Sequence, residues 1–318
     1  MRIPFLLAAL ILLGTFAPLS LQRRDPPPRM SLVDFAPVPL EEAAPGARQI
    51  GRLHFLGGWA LTSNDARFGG ISALHVDGDA ALAVSDAGWR IRIPLPPGPS
   101  RVRAEIAMIE QGPGPEEEKE NRDVESLAVA GQAVWVGYEQ ANAIWRYDRR
   151  DFRARASAAP PAMARWDSNR GAEAMVRLAD GRFLVFDEGD GVESEALLFA
   201  GDPAEAGTPV LRLRYRPPAG YRITDAALLP DGRLALLHRR VGLFEGFTAK
   251  LTLARLPAAA EGALIAGEEA ATFDGPVTRD NFEALSVTRE NGRTILWIAS
   301  DDNYNALQRT LLLKFALD

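Results

Sequence analysis

Cysteine is absent from all 318 residues. Its absence excludes disulfides, zinc–thiolate sites, iron–sulfur clusters and thiol nucleophiles together. Histidine occurs three times, at His54, His75 and His238, too few for a multi-histidine metal centre. Lysine also occurs three times, at Lys119, Lys250 and Lys314, so arginine carries almost all the positive charge. The net charge is −6, and a chain without a basic excess does not fit nucleic acid, whose phosphates need neutralising. What the chain has in quantity is acid, 42 Asp and Glu. A metal held by such a chain is a hard one, bound through oxygen.

The first 29 residues read differently from the rest. Arg2 precedes an almost wholly apolar stretch, residues 3–17, of the length and sign pattern of a secretory leader. Residues 1–20 are therefore expected to be a signal peptide or an uncleaved inner-membrane anchor, placing the protein in the periplasm or outside the cell. Arg23-Arg24-Asp25-Pro26-Pro27-Pro28 follows, and residues 21–48 read as a proline-rich linker. Residues 49–318 are left as one folded domain, expected to be a monomer.

An internal repeat organises that domain. Five segments align: FGGISALHVDGDAALAVSDAG from Phe68, RDVESLAVAGQAVWVGYEQ from Arg122, RGAEAMVRLADGRFLVFDEG from Arg170, YRITDAALLPDGRLALLHRR from Tyr221 and DNFEALSVTRENGRTILWIASDDN from Asp280. Each is an apolar run, a turn built on Gly, Asp-Gly or Asn-Gly, and a second apolar run ending in charge, which is the pattern of a β-hairpin. The repeats recur about every 50 residues, and further strand-like runs follow each hairpin, as a four-stranded propeller blade requires. The fold class is all-β: a β-propeller of five blades by repeat count, with six as the alternative. The stretch 49–62 is expected to supply a strand to the last blade and close the ring, removing two open sheet edges.

The carboxylates recur at two hairpin positions. First-strand starts carry Glu125, Glu173 and Glu283, with Ser72 in the first repeat and either Thr224 or Asp225 in the fourth. Second-strand ends carry Asp86, Glu139, Asp187-Glu188 and Asp301-Asp302, whereas the fourth repeat places His238-Arg239-Arg240 there. In a hairpin these positions are neighbours, so both rows face one mouth of the ring. Carboxylates crowded there repel one another unless a cation intervenes. Calcium accepts six to eight oxygens in flexible geometry and suits such a ring. Asp86, Glu125, Glu173, Asp225, Glu283, Asp301 and Asp302 are the candidate ligands. Glu139 and Glu188 are the candidate base or further ligand, and Arg239 is the candidate clamp for an anion. Trp89, Trp135, Trp145 and Trp297 follow strand patterns and belong to the packing between blades. The run Glu116-Glu117-Glu118-Lys119-Glu120 reads as a solvated loop.

Taken together, FGGIS, ESLA, GAEAM with DGRFLVFDEG, TDAALLPDGRLALLHRR and NFEALS resemble the phytase-like propellers, exported bacterial proteins described as having esterase-like activity of phytase. The resemblance spans roughly residues 46–317. It implies a β-propeller and, through kinship with calcium-dependent propeller phytases, metal-assisted hydrolysis of a phosphoester or ester. Two functions follow from the acidic mouth: a calcium-dependent hydrolase of a small anionic substrate, or a non-catalytic propeller binding a cationic or metal-bridged partner. A hydrolase needs a ligand position open to water beside a base; a binder does not.

Overall fold

The structure, a computed structural model, describes residues 29–96, 98, 100–114, 123–189 and 192–318. The leader and the acidic loop of residues 116–120 lie outside the described residues. Within them the secondary structure is all strand, with no α-helix.

Three strands precede the repeats: β1 (Arg29–Pro37), β2 (Gln49–Ile50) and β3 (Leu53–Ser63). The first repeat forms β4 (Ile71–Asp77), β5 (Ala80–Ser85), β6 (Trp89–Pro94) and β7 (Ser100–Met108). The second forms β8 (Val124–Ala130), β9 (Ala133–Tyr138), β10 (Ala143–Asp148) and β11 (Ala154–Ala158). The third forms β12 (Ala172–Arg177), β13 (Phe183–Asp187), β14 (Ser194–Phe199) and β15 (Val210–Arg216). The fourth forms β16 (Arg222–Leu228), β17 (Leu234–Gly242), β18 (Gly246–Ala254), a short β19 (Leu264–Ala266) and β20 (Glu268–Phe273). The fifth forms β21 (Phe282–Glu290), β22 (Arg293–Ser300) and β23 (Thr310–Leu317).

Successive strands of each repeat pair antiparallel, except in the fourth, where β20 pairs with β18 and the short β19 instead runs parallel to β15 of the third repeat. The first strand of each, β4, β8, β12, β16 or β21, lies innermost and packs against its neighbours in cyclic order, β21 returning to β4. The hairpins close where the sequence places its turns. Asn291 and Gly292 both take positive φ, the conformation a tight two-residue hairpin demands. Most residues of β4, β12 and β21 are buried, which is why these strands read as continuous apolar runs rather than alternating ones. Core side chains interleave between repeats. Trp135 packs on Phe183 of the next repeat at 4.8 Å between ring centres, and within the last sheet Trp59 of β3 stacks on Trp297 of β22 at 6.4 Å.

The ring is closed by the N-terminal region, as the sequence leads one to expect. β3 pairs with β23 from Leu53 to Leu61, so residues 49–62 do complete the last sheet. The linker boundary is corrected: residues 29–48 are built into the fold. β1 pairs on one side with β3 and on the other with β7, joining the outer strands of the last and first repeats into one sheet. Val33 and Leu40 are fully buried, and Phe35 nearly so. The alternation Val33, Phe35 follows directly on the proline run, whose composition masks it.

Candidate active site at the acidic mouth

The site begins with a backbone irregularity that repeats. Each inner strand shifts register near its start, between Ile71 and Ala73, Val124 and Ser126, Ala172 and Ala174, Ile223 and Asp225, and Phe282 and Ala284. The extra residue of each bulge is Ser72, Glu125, Glu173, Thr224 and Glu283. A bulge frees a residue from the ladder and re-aims its side chain. The same device therefore presents the same position five times around the mouth.

The second row sits directly beside the first. The backbone N–H of Asp86 donates to Gly70 O, that of Glu139 to Asp123 O, that of Glu188 to Arg170 O and that of Asp301 to Asn281 O, at 2.9–3.2 Å. In the fourth repeat Arg222 pairs with Arg239, one step past the pair Ile223–His238. Arg239 thus takes the place that Asp86, Glu139, Glu188 and Asp301 hold elsewhere.

This register separates the candidates. Asp225 is not a member of the ring, because Thr224 occupies the bulge. The Asp225 carboxylate is buried and accepts from the backbone N–H groups of Leu285 at 2.6 Å and Ala226 at 2.7 Å, tying β16 to β21. Asp302 lies one residue beyond the ring position. Its oxygens accept from Gly70 N at 2.9 Å, Tyr304 N at 3.0 Å and Thr310 Oγ1 at 2.8 Å, which pins the following loop to the first repeat. Both carboxylates serve the backbone. His238 is fully buried, meets Tyr215 Oη through Nε2 and has Nδ1 3.1 Å from Lys250 O; burial holds its pKa down to about 4. It is a neutral core residue.

Arg239 lies inside the ring in ion pairs. It donates to Asn281 Oδ1 at 3.0 Å and meets Glu283 at 2.8 Å and Glu188 at 3.3 Å. Arg222 reaches the other oxygen of Glu188 at 2.9 Å. Burial works against the charge on Arg239, but Glu283, Glu173, Glu188 and Glu125 outweigh it and hold the guanidinium more basic than usual. The candidate clamp is therefore already engaged by carboxylates.

The remaining acids outnumber it. Glu125 and Glu173 are pushed well above the carboxylate range, first by burial and then by neighbouring acids, Asp123 and Glu173 around Glu125, Glu188 and Glu283 around Glu173. Burial with Asp123 and Glu188 raises Glu139 to about 8. Burial raises Glu283 to about 7 despite Arg239. Asp301 is raised by burial, Asp86 and Glu283. Beside the ring, burial with Glu195 and Glu188 brings Asp187 to about 7. Desolvation and mutual repulsion thus hold protons on the mouth near neutrality.

Among the described residues, Asp123, Glu125 and Glu139 place one carboxylate oxygen each within 4.8 Å of one another. Three hard donors at that spacing fit the oxygen shell of a calcium-sized ion. Asp123 was missed in the sequence, although its place two residues before Glu125 makes it the cross-strand neighbour of Glu139. Tyr304 was missed too. It takes positive φ, donates from Oη to Ser85 Oγ at 3.2 Å, and lies over Gly70 and Asp86. No periodic signal marks a residue in the loop between β22 and β23.

Residues 66–304 match the phytase-like family described as esterase-like activity of phytase. No curated protein matches the sequence. Among solved structures, the glutaminyl cyclase of Myxococcus xanthus is similar at 10% identity and a TM-score of 0.45, with 85% of this chain and 100% of that one covered. The Cps50 (Swd1) β-propeller domain of Myceliophteria thermophila is similar at 9% identity and a TM-score of 0.38, with 91% and 100% covered. Hydrazine synthase of Kuenenia stuttgartiensis is similar at 12% identity and a TM-score of 0.42, with 73% and 77% covered. With the repeated bulges, the hairpin register and a match over most of its length, the chain belongs to the phytase-like family of β-propellers.

Proposed function

We propose that this protein is an exported, calcium-dependent hydrolase of a small phosphoester or ester, acting at the acidic mouth. The observation that carries the reading is the convergence of Asp123, Glu125 and Glu139 within a ring that also carries the acids Glu173, Glu283, Glu188, Asp86 and Asp301. These residues fit a hard cation: all donors are oxygen, and a divalent charge binding among them displaces the protons that burial and mutual repulsion otherwise hold there. Asp123, Glu125 and Glu139 would hold it. Bound there, calcium would polarise a phosphoryl or carbonyl oxygen.

The chain's own groups supply the rest. Glu173, on the neighbouring inner strand, is buried and retains its proton near neutrality, so it suits proton delivery to a leaving oxygen. Glu188 does not suit the base role, since both of its oxygens meet arginine. Arg239 holds Glu188 and Glu283 in place. Export fits the metal, because extracellular calcium modules work at about 10⁻⁴–10⁻³ M ion.

A panel of phosphomonoesters, phosphodiesters and carboxylic esters, run with millimolar calcium and with chelator, tests the reading. Turnover should depend on calcium and fall at least about a hundredfold in Glu173→Gln, the scale of a lost acid–base group. Calcium binding without turnover of any panel member would leave the non-catalytic, metal-bridged binding propeller as the function.

A further inference from the structure

We propose that the pocket beside the mouth is a separate binding site for an amphipathic anion, a single negatively charged head on an apolar body. The pocket has a volume of about 500 Å³ and opens between the β17–β18 hairpin, the segment 275–280 and the loop 305–309. That volume lies within the range of small-molecule sites.

Its chemistry is two-sided. Phe247 and Leu307 line it, and Leu307 is 82% exposed with nothing in the fold covering it. Outside the lining itself, at the tip of the adjoining hairpin, Leu243 is 70% and Phe244 92% exposed, an apolar lip that folding alone does not account for. This lip exists because β17 and β18 continue pairing through Val241–Phe247 and Gly242–Gly246, past Arg239, the last residue of β17 that β16 pairs.

Arg279 supplies the polar half. Its guanidinium is held by backbone carbonyls, donating to Gly275 O and, at 3.2 Å, to Glu245 O. Among the described residues no carboxylate lies within ion-pairing distance of it. Arg309 also lines the pocket, but it donates to Asp280 Oδ2 at 3.2 Å and so is already neutralised. Glu42 stands at the exposed edge. One oriented, uncompensated guanidinium facing an apolar wall selects a monoanion with a hydrophobic tail, such as an aryl or alkyl carboxylate or sulfonate. A naked multivalent phosphate finds one unpaired cation there, with Glu42 at the edge.

The pocket adjoins the mouth through its own backbone: Asp280 lines it, and the next residue, Asn281, accepts from Arg239. Its use as the seat for the non-reacting end of an ester rests on the proposed function; the binding itself does not.

Calorimetric titration of naphthalene-2-sulfonate into the full chain, with chelator present so that no cation occupies the mouth, tests the site. Submillimolar binding is expected, weakened at least about tenfold in Arg279→Met, a loss of about 1.4 kcal/mol. Leu307→Asp, at an exposed position that folding tolerates, should weaken it similarly by repelling the head group. The uncharged 2-naphthalenemethanol and inorganic phosphate should each bind at least about tenfold more weakly than the sulfonate. Glu125→Gln/Glu139→Gln should leave sulfonate binding unchanged, so loss of hydrolysis there with retained binding separates the two sites. Absence of binding in the parent, equal affinity in the Arg279 and Leu307 variants, or equal affinity for phosphate would overturn the proposal.

Discussion

At the scale of single residues, the mouth is a set of groups whose charge state the fold works against. Glu283, Asp187 and Glu139 titrate near 7, 7 and 8, above the carboxylate values they regain on unfolding. A raised folded pKa means the native chain binds more protons than the unfolded one between the two values, so this contribution is lost as pH rises through the folded pKa. Cation-free protein should therefore lose melting temperature between about pH 5 and pH 8, and Glu125→Gln/Glu139→Gln should flatten that slope. Thermal melts across this range, in chelator, check it; parallel slopes for parent and variant would show that these two acids do not titrate with folding. Arg239 works in the opposite sense. Replacing it by Met leaves Glu283 and Glu188 buried beside each other, and loss of one partner of a buried pair costs about 3–5 kcal/mol, measurable by urea unfolding. A cost below about 1 kcal/mol would mean that the two acids simply take up protons.

At the scale of elements, the bulge at the head of each inner strand connects sequence to site. The hairpin signal placed the acids at strand starts and strand ends, because apolar runs and Asp-Gly or Asn-Gly turns are local. It could not choose between Thr224 and Asp225, since a bulge shifts the register by one residue without marking the composition. The same limit hid the difference between Asp301, in the ring, and Asp302, which the backbone consumes. Asp123 and Tyr304 were invisible for another reason: what makes them part of the mouth is a neighbour across a strand or across repeats. The Gly69-Gly70 pair shows how closely the first repeat is fitted. Gly70 has φ +61°, and a Cβ there would sit 2.4 Å from the Tyr304 ring and 2.5 Å from an Asp86 oxygen. Gly70→Ala should destabilise the protein by about 1–3 kcal/mol and displace Tyr304, which fluorescence of that tyrosine's neighbours or a crystal structure would register. Unchanged stability would mean that the loop 302–309 yields to the added methyl.

At the scale of the whole molecule, the repeats and the match to the family describe the same propeller, and closure is where sequence and structure part. Residues 49–62 close the last sheet as the pattern implied, but β1 adds a second fastening that the proline-rich composition concealed. Pairing with β3 through Val33–Pro37 and with β7 through Arg29–Phe35, it removes two outer edges where the ends of the ring meet. Deleting residues 29–37 should lower the melting temperature of the whole domain rather than of one repeat, because it opens the ring; an unchanged melt would show that β3 alone holds it shut.

The central claim is that the mouth is a site for a hard cation. Melting curves of the parent and of Glu125→Gln/Glu139→Gln at pH 7.5, each with millimolar calcium and with chelator, test it most directly. Binding to the native state alone at a hundredfold excess over Kd adds about 2.7 kcal/mol. For a domain of this size that corresponds to a rise of about 4 °C in the parent. The double variant should show no rise and should melt above the parent in chelator. Superimposed parent curves in calcium and chelator would contradict the account, leaving the acidic ring a proton-holding rim and no metal centre.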